Sequence, residues 1–213
     1  LAETRDPETG GHIKRTKAYV RILAEHLKNH PKFSYFLDDE TIDLIYMSAP
    51  LHDIGKVGVP DRILLSSEKL TPDDWETMKK HSVYGRDALL VAEAQLGENS
   101  FLRFAKEIAF SHHERWDGTG YPQGLKGEEI PISGRLMALA DVYDALISKR
   151  VYKAPMSHAK AVEIIEKDKG KYFDPDVVDA FLELEDKFRA IAFKFADFDE
   201  EKTALRSPID SQQ

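Results

Sequence analysis

The sequence contains no cysteine. Disulfides, thiolate metal sites and cysteine nucleophiles are therefore excluded together, which fits a reducing compartment; any metal must be held by His, Asp or Glu. No apolar run approaches the ~20 residues needed to cross a bilayer, and the N-terminus lacks the basic-then-apolar pattern of a secretory signal. The chain reads as soluble and cytoplasmic. An excess of positive charge is missing too: the formal charge is −8, which argues against DNA or a membrane surface as a partner. A small phosphate ligand stays open, because bound cations reverse the charge of a carboxylate and imidazole cluster locally.

What is present suffices for a core. Hydrophobic residues make up 42% of 213, enough for one compact unit without staples. We expect a domain over residues 5–195 and a polar, mobile tail over 196–213. The chain begins at Leu1 rather than Met, so it reads as a piece of a longer regulatory protein.

Apolar residues recur at helical spacing along most of the length. One helix is expected over 7–29, weakened at Gly10-Gly11, and a second over 39–53. Pro50 lies inside the second and should kink it just before His52 and Asp53. A loop follows over 55–67. Thr71-Pro72-Asp73-Asp74 is a strong helix start, with Trp75 and Met78 turned inward and the helix reaching His81. Further helices are expected over 82–97, 101–113, 132–148, 158–168 and from Asp174 to about Phe195. Residues 114–131, rich in glycine with Pro122 and Pro131, form a long structured loop of the kind that usually carries function. No strand ladder is visible, so the class is all-α.

The helix ends carry Glu8, His12, His52, Asp53, His81, His112, His113 and Asp141. Singly, each has a bland reading; chance alone supplies about 0.75 His-Asp pairs at this composition. Glu8 and His12, four apart, could be a solvated ion pair, and His26 and His30 read as structural residues near a helix C-terminus. Asp141 is more telling. It sits in the apolar run Met137 to Tyr143, where an unpaired buried carboxylate would cost several kcal/mol. Asp144 shares its face and could orient a ligand from behind.

His-Asp-Ile-Gly-Lys at 52–56, His81, His-His-Glu-Arg-Trp-Asp-Gly-Thr-Gly-Tyr-Pro at 112–122 and Asp141 together resemble the HD-GYP family. This is a branch of the HD-domain metal-dependent phosphohydrolases, and the likeness spans roughly residues 5–185. It implies an all-helical HD-domain bundle with an extended GYP loop and additional C-terminal helices. It also implies two or three divalent metal ions, iron or manganese before zinc or nickel, and hydrolysis of cyclic di-GMP.

Carried over, the resemblance implies that His52, Asp53 and Asp141 hold one metal and His81, His112 and His113 a second, with Asp53 bridging. His12 matches the upstream histidine of the family, and Glu8, four residues earlier, the glutamate of members with a third metal. Asp53, Lys56 and Asp144 form the implied catalytic set; Lys56, Arg150, Lys153, Gly120 and Tyr121 are the implied substrate contacts. Pro50 departs from the family, where a small residue is expected. An upstream receiver or sensor domain, a homodimer and protein partners in the same signalling pathway are compatible with the likeness.

The residue types support such chemistry independently. Two cations a few Å apart lower the pKa of a water and neutralise charge on phosphoryl oxygens. Nitrogen and oxygen donors do not choose among iron, manganese and zinc. Glycines at 118–124 let backbone approach a ligand, and Tyr121 could lie against a base, whereas Trp116 reads better as packing. Two alternatives stand beside cyclic di-GMP hydrolysis: hydrolysis of another cyclic dinucleotide such as cyclic GMP-AMP, and a regulatory module that binds nucleotide or partner without catalysis.

Overall fold

A computed structural model describes residues 10–97, 100–149 and 154–206. Among them the chain forms eleven α-helices joined by short turns and single 3-10 turns. Residues Lys169 and Phe173 form an isolated bridge, and no strand occurs among the described residues. Among the described residues no helix is long and apolar enough to cross a membrane.

Helix α1 (Gly10–Leu27) buries His12, Arg15, Thr16, Tyr19, Val20, Leu23, Ala24 and Leu27. This is one stripe at three- and four-residue spacing; its later part builds the core and its first turn delivers His12 and Arg15 to the site. Helix α2 (Asp39–Ser48) starts at Asp38, whose side chain accepts from the Thr41 N–H. It was expected to run to Asp53 and does not. The chain tightens into a 3-10 turn over Ala49–Leu51, where His52 N–H reaches Ala49 O at 3.2 Å. Proline has no N–H for the next helical bond and its ring crowds the preceding turn, so the narrower winding replaces a kink.

A second 3-10 turn (Ile54–Gly58) and the short α3 (Asp61–Leu64) occupy the stretch expected as loop. Gly55 lies flush against the next helices: a Cβ there would overlap His81 O and Gly85 N. Helix α4 (Pro72–Lys79) is capped by Thr71 as anticipated. Trp75 is 48% exposed rather than turned inward: α4 buries none of its residues, and its apolar contact is made by Met78 in a small cluster with Val59, Ile63 and Leu64. His81 opens α5 (His81–Leu96) rather than closing α4.

Helices α6 (Ser100–Ser111) and α7 (Ile132–Ile147) flank the glycine-rich loop, which holds only the 3-10 turn Gly127–Glu129. The C-terminal part comprises α8 (His158–Lys167), α9 (Pro175–Glu183), α10 (Glu185–Lys194) and α11 (Asp199–Arg206). The single helix expected up to Phe195 breaks at Leu184. The expected mobile tail is corrected as well: residues 199–206 form α11, burying Glu201 and Leu205. Residues 207–213 lie outside the described part.

The main core is aromatic at its centre. Tyr19 of α1 stacks on Phe188 of α10 at 4.5 Å, and Tyr143 of α7 meets both edge-on. Burying each such ring contributes about 1.5–3 kcal/mol. Tyr143 thereby packs α7 against α1 and α10, with Asp144 beside His12 and Arg15 of the first turns of α1.

Candidate metal centre

Two groups of ligand atoms form where helix ends meet. His12, His52 and Asp141 make one; Asp53, His81, His112 and His113 make the other, and within each group the nearest donor atoms lie within 4.8 Å of one another. The seven residues come from α1, the turns after α2, the start of α5, the end of α6 and the middle of α7. Asp53 stands between the groups. Its Oδ2 is 3.4 Å from His52 Nε2, and its Oδ1 is 3.2 Å from His81 Nε2 and 3.5 Å from His112 Nε2.

The histidine rings are aimed by their other nitrogens. Nδ1 of His52, His81 and His112 donates to the carbonyls of Ala49, Met78 and Ile108 at 3.0, 2.8 and 3.0 Å. Nδ1 of His12 donates to Asp144 Oδ2 at 2.9 Å. A carbonyl or carboxylate can only accept, so each ring carries its proton on Nδ1 and, when neutral, presents a lone pair on Nε2. That is how histidines are oriented toward a metal.

Charge follows the same pattern. Burial pushes the Asp53 carboxyl up, but the charge of Lys56 and the neighbouring His52 and His112 imidazoles outweigh it and hold it well below the usual range. The Lys56 ammonium sits 2.7 Å from Asp53 Oδ2. Burial lowers His112, and burial with the neighbouring imidazoles lowers His113 further. Neutral imidazole and ionised carboxylate are the forms that ligate. Asp53 Oδ1 and His112 Nε2 are buried and lack a hydrogen-bond partner. An orphaned acceptor costs about 1–3 kcal/mol, and two of them facing each other fit a cation between. The residues present therefore fit a metal centre.

Asp144 was expected among the catalytic residues. It is 1% exposed and sits behind His12, gripped by Arg15, so it orients a donor and does not face the site. Gly120 was expected at the substrate. A Cβ there would overlap the backbone of Glu114 and Arg115, so its close approach is to the loop itself. Tyr121 does face the centre, stacked on His113 at 4.8 Å. Burial, with Tyr172 and the carboxylates of Asp53 and Asp141, pushes its phenol up, so its hydroxyl stays a donor. Trp116 packs the loop down: its backbone N–H donates to Tyr172 O, and Arg135 lies over its ring. Glu8, Arg150 and Lys153 lie outside the described residues.

Beside the site, sequence reasoning missed the burial of Arg15 and of Glu114. Arg15 is 2% exposed and Glu114 is 1% exposed. Arg15 had a signal, being a charge on an apolar stripe; Glu114, next to two histidines in a loop, had none. Its carboxylate accepts from Gln123 N–H at 2.7 Å and Leu125 N–H at 3.0 Å, closing the loop on itself. Gly124, at φ +68°, turns between those two donors.

A family model described as "HD domain" matches residues 1–177. The chain belongs to the HD-domain family. Several curated relatives resemble this HD domain over nearly all of its length. A Vibrio cholerae serotype O1 protein named "Cyclic di-GMP phosphodiesterase" is 59% identical over 197 residues, 92% of this chain and 40% of that protein. A Thermotoga maritima protein of the same name is 42% identical over 207 residues, 97% and 53% of the two lengths. A V. cholerae "3'3'-cGAMP-specific phosphodiesterase 2" is 43% identical over 195 residues, 92% and 35%. The HD domain thus spans about half or less of these relatives. Among solved structures, an HDG"Y"P protein from Bdellovibrio bacteriovorus superposes with a TM-score of 0.55 at 21% identity, covering 81% of this chain and 52% of that one. At that identity the likeness concerns the all-helical fold.

Proposed function

We propose that this HD domain is a metal-dependent phosphodiesterase that hydrolyses cyclic di-GMP to linear pGpG and, by a second cut, to GMP. The carrying observation is Asp53, whose two oxygens face two different histidine groups and whose Oδ1 is buried without a partner. The relatives named cyclic di-GMP phosphodiesterase, at 59% and 42% identity, support the substrate.

His12, His52 and Asp141 would hold one divalent cation and His81, His112 and His113 another, with Asp53 shared. Bound there, the cations supply an acidified water and charge neutralisation at the phosphoryl oxygens. The donor set of nitrogen and oxygen accommodates iron, manganese, zinc or nickel without choosing among them; the resemblance to the HD-GYP family puts iron or manganese first. The protein's own groups do the rest. Carbonyls behind His52, His81 and His112 keep the rings from turning, so no reorganisation is needed when substrate arrives. Lys56, already beside Asp53, places an ammonium where a phosphate next to that carboxylate would lie. Tyr121 offers a hydroxyl donor and an aromatic edge at the rim, with Lys79 at 5.6 Å from its ring centre.

A second reading takes 3'3'-cyclic GMP-AMP as substrate, favoured by the 43% identical relative of that specificity. The deciding experiment gives iron- or manganese-loaded protein both dinucleotides in parallel and identifies the products. Faster turnover of the mixed dinucleotide replaces the substrate. Hydrolysis of neither, by protein carrying its metal, overturns the activity.

A further inference from the structure

Arg15 lies one turn beyond His12 on α1, and its guanidinium has five N–H donors. All five are used. Nε donates to Asp144 Oδ1 at 2.6 Å, and Nη2 donates to Asp144 Oδ2 and to Ser148 Oγ, both at 3.0 Å. Nη1 donates to Phe195 O at 2.7 Å and to Asp197 Oδ2 at 2.9 Å. One side of the fork thus grips the carboxylate that orients His12. The other grips the turn between α10 and α11, nearly the whole chain away.

That turn is itself fixed. The buried carboxylate of Glu201 accepts from Asp197 N–H at 2.9 Å and Phe198 N–H at 3.3 Å, and from Lys149 N–H at 2.8 Å beyond the end of α7. The partner position on α1 is Gly11, immediately before His12. A Cβ there would overlap the Asp197 carboxylate and Arg15 Nη1. Glycine inside a helix costs about 1 kcal/mol against alanine, and here it leaves the space that Asp197 occupies.

We propose that Asp197 is a positioning residue for His12, acting through Arg15 and Asp144, with Gly11 clearing its place and Glu201 fixing its turn. The C-terminal turn holds one edge of the guanidinium; the guanidinium holds both oxygens of Asp144; Asp144 holds His12 Nδ1, so that Nε2 faces His52 and Asp141. The proposal rests on the reading of the two donor groups as metal sites. A purely structural Asp197 would tie α11 to the core and affect both groups alike.

The test is cobalt(II) titration of the metal-free full chain, followed by visible absorption, for the unmodified protein, Asp197→Ala and Gly11→Ala. Asp197→Ala leaves Arg15 bonded to Phe195 O and Asp144, so the fold has most of its anchor; Gly11→Ala displaces Asp197 without removing a charge. The binding events are assigned by their loss in His12→Ala and in His113→Ala. Both variants should weaken the His12 event by about tenfold, as loss of outer support to a ligand does, and leave the His113 event within about twofold. Unchanged affinity for both events in both variants overturns the proposal. So does equal weakening of the two events, which marks general loosening. If the unmodified protein binds no cobalt, the metal reading fails first and the positioning role falls with it.

Discussion

His12 Nε2 and His52 Nε2 lie 3.3 Å apart, although each ring already spends its Nδ1 proton on another acceptor. Two neutral rings in this arrangement point lone pairs at each other, and a metal ion held by both nitrogens relieves that without protonating either ring. Metal should therefore stabilise the fold by mass action, by about 2.7 kcal/mol at a hundredfold excess over its dissociation constant. Thermal unfolding with and without manganese(II), followed by chelation, reads this directly. A melting temperature that ignores both additions would contradict it.

Asp53→Asn keeps the shape of the side chain but removes the shared negative charge. Both donor groups should lose affinity together, and turnover of cyclic di-GMP should fall by at least about 10³-fold, some 4 kcal/mol of barrier. Metal content after gel filtration and initial rates measure the two effects. Retention of two equivalents of metal by the variant would rule out sharing.

Glu114→Gln tests how the loop is held. An amide nitrogen cannot accept from a backbone N–H, so Gln123 N–H or Leu125 N–H loses its acceptor at a cost of about 1–3 kcal/mol. Amide exchange over residues 118–127 should accelerate, and KM should rise more than kcat falls. Exchange at the rate of the unmodified protein would show that the loop closes by other means.

His158 offers a pH test away from the centre. It is buried on α8 with Nδ1 2.8 Å from the Tyr143 hydroxyl. Burial, with Arg189 and against Asp186, lowers it from 6.5 to about 4. The unfolded chain therefore binds more protons between those values; its contribution is whole above pH 6.5 and drains away as pH falls toward 4. His112 and His113, also lowered, act in the same direction in metal-free protein. His158→Leu should start less stable, because Tyr143 loses its acceptor, yet lose less melting temperature between about pH 8 and pH 5. An unaltered pH slope in the variant would remove His158 from this account.

Helix starts were legible where a side chain caps the backbone locally. Thr71 accepts from Asp74 N–H and Asp174 from Asp176 N–H, and both signals lie within three residues. Pro50 was legible as an interruption but not as a 3-10 turn, because the choice between winding tighter and bending depends on what packs against Leu51 and His52. Trp75 was misplaced for a related reason: an aromatic on a helix reads as inward unless the neighbour it lacks is known. The donor series from His12 to Asp141 was readable as a set. What was hidden is long-range. Glu201 looks like one acid in a polar end, and Gly11 like a weak point in a helix, until Lys149 and Asp197 stand beside them.

The bond between His12 and Asp144 spans 132 residues, and that between Arg15 and Asp197 spans 182. A ribosome must therefore release α7 before the His12 group exists at all, and must release the turn after α10 before its anchoring is complete. The Asp53, His81, His112 and His113 group needs nothing beyond the turn that follows α6, so of the two donor groups the one around His12 is the later to assemble.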